Sequence, residues 1–193
     1  MKLNSKKIAI TGTIGAGKST VCSILKNLGE ICISCDEINK ELLLSKNYLS
    51  GLKVIFPEAF INGILDKNCI KEIIYNSEKK RLELNLYSHK KIEEKMLEEI
   101  DKIDAKKRIF VEIPLLNQTD FCKHFDEIWV IVSSKDNKIN RIISRDNCTK
   151  EFAQKMLIAQ VDDFNFPIST KIVYNDGSLD ELKQTILTLL KNG

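Results

Sequence analysis

The chain has 193 residues, of which 43% are hydrophobic and 30% are charged, and its formal net charge is +3. These values are typical of one globular domain with a substantial core. They argue against nucleic acid as a partner, because its binding surfaces are usually strongly basic. No apolar run in the sequence reaches the ~20 residues needed to span a bilayer, and the basic N-terminus lacks the apolar run of a signal peptide. We therefore expect a cytoplasmic protein with reduced cysteines and no membrane partner.

The most informative segment is Gly12–Ser19, which contains the complete pattern G-x-x-x-x-G-K-[ST] after the apolar run Ile8–Ile10. Glycines let successive backbone N–H groups turn toward phosphate oxygens, and the N-terminus of the following helix faces the same anion. We predict that this loop binds a nucleoside triphosphate, with Lys18 at the β- and γ-phosphates and the Ser19 hydroxyl on Mg²⁺. The alternative is a glycine-rich turn without a ligand. The predicted ATP contacts of this segment are Gly12, Ile14, Gly15, Ala16, Gly17, Lys18, Ser19 and Thr20.

Strand and helix patterns alternate along the chain, which predicts a parallel sheet with helices on both faces. Capping-box patterns at Ser34–Glu37 and Ser178–Glu181 predict two helix starts, and the last helix should bury one apolar stripe that begins at Leu179. Asn62-Gly63 predicts a turn. The five predicted strands are Lys7–Thr11, Glu30–Ser34, Arg108–Ile113, Glu127–Val132 and Lys171–Tyr174.

About seventy residues separate the second and third predicted strands, too many for a simple crossover. Their periodicity is helical, and His89 is expected to open a helix over Lys90–Ile103. The segment is either a helical insertion that holds an acceptor substrate or a purely structural helical cap. The helical runs are Leu42–Leu44, Leu52–Phe56, Cys69–Tyr75, Leu82–Leu86 and Ile92–Ile103.

Two acidic residues lie at or just past the ends of predicted strands, at the edge where sheets of this kind bind ligands. Asp36 lies just past the second strand, where its carboxylate can accept the proton of an acceptor hydroxyl. The alternative is that it only favours the first turn of a helix. Glu112 ends an apolar run at the position that usually carries an acid for Mg²⁺. It either holds the metal or fixes the loop or the acceptor.

Arg141 and Arg145 lie four residues apart and would share one face of a helix. Their planar guanidiniums suit phosphate oxygens, and the polar segment 146–150 suits a small lid that closes over ATP. The alternative is an exposed helix face. Cys32 and Cys35 form a C-x-x-C, but the residues between them are typical of a strand end, and no second pair completes a zinc site.

Together these motifs resemble the dephospho-CoA kinase family, and the resemblance extends along nearly the whole chain. The run Ile113–Leu116, the pattern R-x-x-x-R-D and the pattern N-D-G-S occur in the family's order, which makes the match highly specific. The matching segments are Thr11–Val21, Leu28-Gly29, Ser34–Asp36, Tyr87–Ile92, Glu112–Leu116, Arg141–Asp146, Gln160 and Asn175–Ser178.

The resemblance implies transfer of phosphate from ATP to the 3′-hydroxyl of dephospho-coenzyme A, with Mg²⁺ as cofactor. It implies catalytic roles for Asp36, Lys18 and Arg141, and further ATP contacts at Arg145 and Asn175. Ser19 and Glu112 are the candidate metal ligands. Dephospho-CoA is the expected small-molecule partner, and the oligomeric state is not predicted. The implied substrate contacts are Asp36, His89, Ile113, Pro114, Leu115 and Leu116.

Five positions depart from the family pattern. Ser34 replaces the first Asp of its D-A-D element, and Lys90 replaces a proline after His89. Asn117-Gln118 replaces an aromatic–acid pair, and Thr170 stands where Asp is usual before the last strand. None of these changes touches the phosphate-binding loop or Asp36.

The expected fold is therefore α/β, a P-loop NTPase of the nucleoside-monophosphate-kinase type. It combines a five-stranded parallel sheet flanked by helices with a helical acceptor-binding insertion and a small lid. We assign residues 1–36, 107–135 and 168–193 to the core, about 37–106 to the insertion and about 136–160 to the lid. A nucleoside monophosphate or shikimate kinase is the alternative within this fold, but the D-G-[FY]-P-R-type signature is missing. A regulatory GTPase would need an N-K-x-D motif that recognises guanine, and this motif is absent from the sequence. A nucleotide-binding module without catalytic activity would not need Lys18 and Asp36, so their presence argues against it.

Overall fold

The structure is a computed structural model that describes residues 5–104, 107–160 and 164–191. Three short 3₁₀ helices, at Pro57–Ala59, Leu116–Gln118 and Phe121–His124, join the longer elements. In chain order these elements are β1 (Lys7–Thr11), α1 (Lys18–Asn27), β2 (Ile31–Ser34), α2 (Cys35–Leu42), α3 (Lys46–Ile55), β3 (Phe60–Ile61), β4 (Ile64–Leu65), α4 (Lys67–Asn76), α5 (Glu78–Asp101), β5 (Ile109–Glu112), β6 (Glu127–Val132), α6 (Lys135–Asp146), α7 (Lys150–Ile158), β7 (Thr170–Tyr174) and α8 (Leu179–Lys191).

Five strands form one parallel sheet in the order β2-β5-β1-β6-β7. The predicted sheet is therefore confirmed. β1 and β6 have the predicted bounds, β2 and β7 differ by one residue at their first position, and β5 is one residue shorter at each end. In the centre, Ile10 of β1 pairs with Glu112 on one side and Trp129 on the other. The loop that follows β1 thus leaves the sheet between two strands, where ligands of such sheets bind.

By compactness the chain divides into two units. The first, called the loop unit, runs up to Ser34 and resumes at Ile103. Its core packs strand residues such as Ile10, Phe110 and Trp129 against Val21 of α1 and Ile186 of α8. This arrangement buries the short Ile- and Val-rich strands on both faces, as their sequence predicted.

The second compact unit, Cys35–Lys102, is called the insertion unit. It consists of α2 to α5 and a small antiparallel hairpin, and it has a core of its own. Tyr48 and Tyr87 meet with ring centroids 5.2 Å apart, and the Tyr87 hydroxyl donates to the Tyr48 carbonyl over 2.9 Å. The predicted helical content is thus present. The buried residues of this core are Tyr48, Leu52, Phe56, Ala59 and Ile70.

The structure corrects five local predictions. His89 does not open a helix, because α5 runs unbroken from Glu78 to Asp101 and is capped by the Ser77 hydroxyl, which accepts from Lys80 N–H over 3.3 Å. The helical runs at Leu42–Leu44, Leu52–Phe56 and Ile92–Ile103 all extend past the helix ends. Leu179 is 62% exposed because it lies in the first turn of α8, before the buried stripe.

Two turn and cap predictions are confirmed. Asn62 and Gly63 have φ angles of 52° and 82° and join β3 to β4, strands that the helical pattern did not predict. At the start of α8, Ser178 N–H donates to Glu181 Oε2 over 2.7 Å, and Glu181 N–H donates to Ser178 Oγ over 3.3 Å. Within the described ranges, no helix combines the length and apolarity needed to cross a membrane.

Candidate active site

The phosphate-binding loop joins β1 to α1 as a tight turn. Ala16 N–H donates to the Thr13 carbonyl over 3.2 Å, and α1 begins at Lys18 after Gly17, whose φ is 98°. The Lys18 ammonium donates to the carbonyls of Gly12 and Thr13 over 2.8 and 3.2 Å. The ammonium and the N-terminus of α1 therefore concentrate positive charge on the same few residues, as an anion site requires.

Arg141 of α6 holds this loop from outside. Its guanidinium donates to the carbonyls of Gly15, Ala16 and Asn175 over 3.2, 3.3 and 2.8 Å, and to Ser133 Oγ over 3.1 Å. A planar fork is suited to several oxygens at once. In this structure the side chain therefore fixes the loop carbonyls, so that the loop N–H groups keep their orientation.

Asn175 makes a second brace at the carboxyl end of β7. It is 6% exposed, and its Nδ2 donates to the Ala16 carbonyl over 2.8 Å. A Cβ at Gly17 would collide with this carboxamide, so the position combines a positive φ with no space for a side chain. The loop conformation thus depends on a glycine that packs against Asn175.

Asp176 ties the carboxyl ends of β6 and β7 together. Its Oδ1 accepts from Ser134 N–H over 2.6 Å, from Ser133 Oγ over 2.8 Å and from Asn137 Nδ2 over 3.0 Å. Hydrogen bonds from Ser134 N–H and from the Ser133 and Asn137 side chains lower the pKa of this carboxyl to about 2. A carboxylate that accepts several hydrogen bonds stays ionised, and here it orients the start of α6, which carries Arg141.

Two further side chains contact the loop. The Lys138 ammonium donates to Thr13 Oγ1 over 3.2 Å, and Gln160 Oε1 accepts from Ile14 N–H over 2.7 Å. Sequence reasoning gave neither a role. The available signal for Lys138 was its spacing, since it precedes Arg141 by three residues and so lies on the same side of α6.

The two candidate metal ligands lie on a strand and a helix next to the loop. Glu112 is half-buried at the end of β5, opposite Ile10 of β1 and Ser34 of β2. Ser19 is exposed in the first turn of α1. A hydroxyl and a carboxylate are oxygen donors of the kind Mg²⁺ prefers, and this cation commonly takes only one or two protein ligands beside water and phosphate. The residues present fit the ion.

The predicted acceptor contacts differ in burial. In the insertion unit, Asp36 is exposed in the first turn of α2, and burial lowers the pKa of half-buried His89 in α5. In the loop unit, Ile113 is a core residue whose N–H donates to the Ile10 carbonyl over 2.9 Å. Pro114 and Leu115 are half-buried, and Leu116 is fully buried.

The cysteines of the C-x-x-C have different partners. A hydrogen bond between the Cys22 and Cys32 thiols raises the pKa of Cys22 and lowers the pKa of Cys32. Burial raises the pKa of Cys22 further. In the insertion unit, Cys35 Sγ lies 4.0 Å from Met96 Sδ. In this structure Cys32 is therefore associated with α1 of its own unit.

A sequence model of the family described as dephospho-CoA kinase matches residues 6–181. The chain belongs to the dephospho-CoA kinase family. Because this match spans most of the chain, it confirms the family resemblance and, with it, the predicted activity of an ATP-dependent dephospho-CoA kinase.

Individual relatives agree with the family match. The chain is 31% identical over 192 residues to a dephospho-CoA kinase of Staphylococcus epidermidis, which covers 97% of this chain and 95% of the relative. It is 29% identical over 191 residues to a dephospho-CoA kinase of Staphylococcus aureus, with 96% and 92% covered. These family members match over nearly their full length.

Solved structures confirm the predicted P-loop kinase fold. A dephospho-CoA kinase from Campylobacter jejuni superposes with a TM-score of 0.67 at 27% identity, covering 96% of this chain and 95% of that one. A protein from Thermus thermophilus has a TM-score of 0.82 at 24% identity, with 98% of each chain covered. A shikimate kinase from Acinetobacter baumannii, at 17% identity and a TM-score of 0.52, shares the fold alone.

The two arginines of the family's R-x-x-x-R-D pattern are not brought together on one target. Arg141 contacts the loop. Arg145 instead forms a bidentate ion pair with its neighbour Asp146, with Nε and Nη2 each 2.7 Å from a carboxylate oxygen. The hydrogen bond to Asp146 raises the pKa of Arg145, and the same bond lowers that of Asp146. In this structure Arg145 is therefore held by the next residue of its own helix.

Proposed function

We propose that the chain transfers the γ-phosphoryl group of ATP to the 3′-hydroxyl of dephospho-CoA through the residues described above. The loop Gly12–Ser19 holds the triphosphate, and Asp36 accepts the hydroxyl proton. One observation carries this assignment. The loop has every residue of the phosphate-binding pattern, and the side chains of Arg141 and Asn175 hold its carbonyls by hydrogen bonds. Such bracing keeps the anion site ready before the ligand binds, which is how electrostatic catalysis avoids reorganisation.

On the nucleotide side, the loop N–H groups and the N-terminus of α1 bind phosphate oxygens. Lys18 exchanges the carbonyls of Gly12 and Thr13 for the β- and γ-phosphates, because an ammonium binds anionic oxygens more strongly than neutral ones. The other residues of this segment that we propose to contact ATP are Ile14, Gly15 and Ala16, which precede Lys18, and Ser19 and Thr20, which follow it. Here the protein contributes position and charge, and little covalent chemistry.

Arg141 acts on the transferred group mainly through the loop. Its guanidinium is hydrogen-bonded to two loop carbonyls and to Asn175, so its first role is positioning. Its charge still lies next to the phosphate site and offsets charge that develops on the transferred phosphoryl. Arg145 joins the ATP site only after it leaves Asp146, and that exchange makes it a candidate for lid closure over residues 136–160.

On the acceptor side, Asp36 has the chemistry of a general base. Its carboxylate is exposed and follows β2 by two residues in the sequence, and parallel sheets bind ligands beyond the carboxyl ends of their strands. The proton of the 3′-hydroxyl moves to this carboxylate, the hydroxyl oxygen forms a bond to the γ-phosphorus, and the bond to the β-phosphate oxygen breaks to release ADP. His89 and the segment Ile113–Leu116 are proposed to bind the rest of the acceptor.

Ser19 and Glu112 are proposed to hold Mg²⁺, which supplies charge neutralisation at the β- and γ-phosphate oxygens when bound. Ser19 would bind it directly through the hydroxyl, and Glu112 through its carboxylate. The insertion of about residues 37–106, the lid and a cytoplasmic location all stay predictions.

The test is ADP release from ATP and Mg²⁺ with dephospho-CoA as acceptor, beside AMP, shikimate and a reaction without acceptor. We expect release only with dephospho-CoA, together with formation of coenzyme A. Replacing Mg²⁺ with a chelator should abolish this release. Equal release with AMP or shikimate, or without any acceptor, would show that the assigned reaction is wrong while leaving the fold unaffected.

A further inference from the structure

A cavity of about 340 Å³ lies in the loop unit and is lined by two segments, of which only Leu116 has a role proposed above. One segment follows β5 and contributes Leu116, Asn117, Gln118 and Cys122; the other precedes β7 and contributes Asn165 and Phe166. Its volume is in the range of small-molecule sites, roughly 300–1,000 Å³. It is therefore large enough for part of a substrate.

The lining is uncharged in the part of the chain that the structure describes. It includes the carboxamides of Asn117, Gln118 and Asn165 and the apolar side chains of Leu116 and Phe166. Such a lining matches a neutral ligand with several amide groups and apolar carbons between them. It does not match a diphosphate, which needs cations or clustered N–H groups.

One wall of the cavity begins close in sequence to the strand end where the reaction is proposed to take place. Leu116 is fully buried and follows Glu112, the last residue of β5, by four positions. β5 is the direct neighbour of β1, which leads into the phosphate-binding loop. An acceptor bound at the carboxyl ends of these strands can therefore continue along this segment.

We infer that this cavity binds the pantetheine arm of the acceptor, an inference that rests on the proposed reaction with dephospho-CoA. The arm is neutral, carries two amides, a hydroxyl and two methyl groups, and ends in a thiol. The carboxamides bind its amides, Phe166 packs against its methyl and methylene groups, and Cys122 lies at the wall. The departure Asn117-Gln118 from the family pattern places two amide side chains in this lining.

Cys122 gives a direct readout, because it is a half-buried cysteine in the cavity wall. Iodoacetamide labelling of wild-type protein is followed by mass spectrometry, with the loop filled by a non-hydrolysable ATP analogue in every sample. S-methyl dephospho-CoA has a thioether in place of the thiol and therefore does not consume the reagent. It is compared with ADP, which is the same acceptor without the pantetheine arm. Cys69 and Cys148 serve as internal comparison sites.

We expect saturating S-methyl dephospho-CoA to slow Cys122 labelling at least about fivefold, since pockets bury most of their ligand's surface. ADP should leave the rate unchanged, and Cys69 and Cys148 should label equally in all samples. Equal protection by ADP would place the adenosine end at Cys122, and uniform protection of all three cysteines would indicate a general closure. Either result overturns the inference, as does unprotected Cys122 in protein that turns over dephospho-CoA normally.

A variant provides the second measurement. Phe166→Ala should raise KM for dephospho-CoA about tenfold, the scale for lost apolar contacts in a binding pocket, with KM for ATP unchanged. Leu179→Ala truncates an exposed apolar residue of the same unit and should change neither constant. If wild-type protein shows no dephospho-CoA-dependent ADP release, the proposed function itself fails. If release is normal and Phe166→Ala leaves KM for dephospho-CoA at the wild-type value, only the cavity assignment fails.

Discussion

The loop unit and the insertion unit bury their apolar residues to different degrees. Around the phosphate-binding loop, Ile10, Ala16 and Val21 are fully buried, and polar side chains that support the loop are buried with them. The insertion unit is the smaller one, yet it contributes most of the large apolar residues with high exposure in the described chain. These residues are Leu44, Val54, Ile61, Ile64, Tyr75, Leu82 and Leu86.

The difference indicates which substitutions each unit tolerates. In the loop unit, backbone carbonyls, an arginine fork and a buried carboxamide share one small volume, so a change at one group moves the others. The insertion unit depends on a compact local core around Tyr48 and Phe56, and its exposed apolar residues lie outside that core. We expect loop substitutions to act strongly on both catalysis and stability, and exposed insertion substitutions to act only where chemistry requires the side chain.

The largest effect is expected for Lys18→Ala. Removing the ammonium should lower kcat/KM by about 10³-fold, because one preorganised charge on the transferred group contributes on this scale. Triphosphate affinity should fall as well, and isothermal titration with ATP measures it. Lys26→Ala removes an exposed lysine from the last turn of the same helix and is the matched control. Wild-type affinity for ATP in Lys18→Ala would contradict the role assigned to the loop.

The next effect concerns the insertion unit. Asp36→Asn should lower turnover at least about 10²-fold, the usual contribution of a general base, with ATP affinity unchanged. Glu37→Gln alters the adjacent carboxylate in the same exposed helical turn and should keep near-normal turnover. Steady-state ADP release with dephospho-CoA measures both. Equal losses in the two variants would mean that the helix start, and not the Asp36 carboxylate, is responsible.

Sequence reasoning predicted the sheet because its strands are short, apolar and bounded by polar residues, so local pattern and tertiary role agree. It identified the loop because glycine, lysine and serine recur at fixed spacing for a fixed chemical purpose. The start of α5 was missed because Ser77 gives a cap without the expected glutamate three residues on. The short hairpin was missed because two residues per strand carry no periodicity.

The braces of the loop were only partly predictable. Arg141 and Asn175 were identified as ATP contacts, but the sequence contains no information on distance, so their hydrogen bonds to loop carbonyls could not be derived. Gln160 and Ile14 are 146 positions apart, and the bond between them depends on how α7 packs. Contacts of this kind arise from tertiary structure, which local patterns do not encode.

A smaller effect separates two glycines with positive φ. Gly17→Ala places a Cβ against Asn175 and should lower the free energy of unfolding by about 1–3 kcal/mol and weaken ATP binding. Gly29 has a φ of 85°, but a Cβ added there would meet nothing within 4 Å. For Gly29→Ala we therefore expect only backbone strain of about 1 kcal/mol. Urea unfolding of both variants measures the difference. Equal destabilisation would mean that Asn175 yields at no cost and does not fix the loop.

The smallest effect is a pH dependence in the brace between β6 and β7. The pKa of Asp176 is about 2 in the folded protein, below its ordinary 3.8, because Ser134 N–H and the Ser133 and Asn137 side chains bond the carboxylate. A pKa depressed by folding stabilises the protein above the unfolded value, and this contribution is lost as pH falls toward 2. Asp176→Asn should therefore melt at a lower temperature than wild type at neutral pH, and the gap should narrow between about pH 4 and pH 2. Thermal unfolding by circular dichroism measures this gap, and other carboxylates cancel because both proteins contain them. A gap that stays constant across this range would show that the hydrogen bonds do not depend on the charge of Asp176.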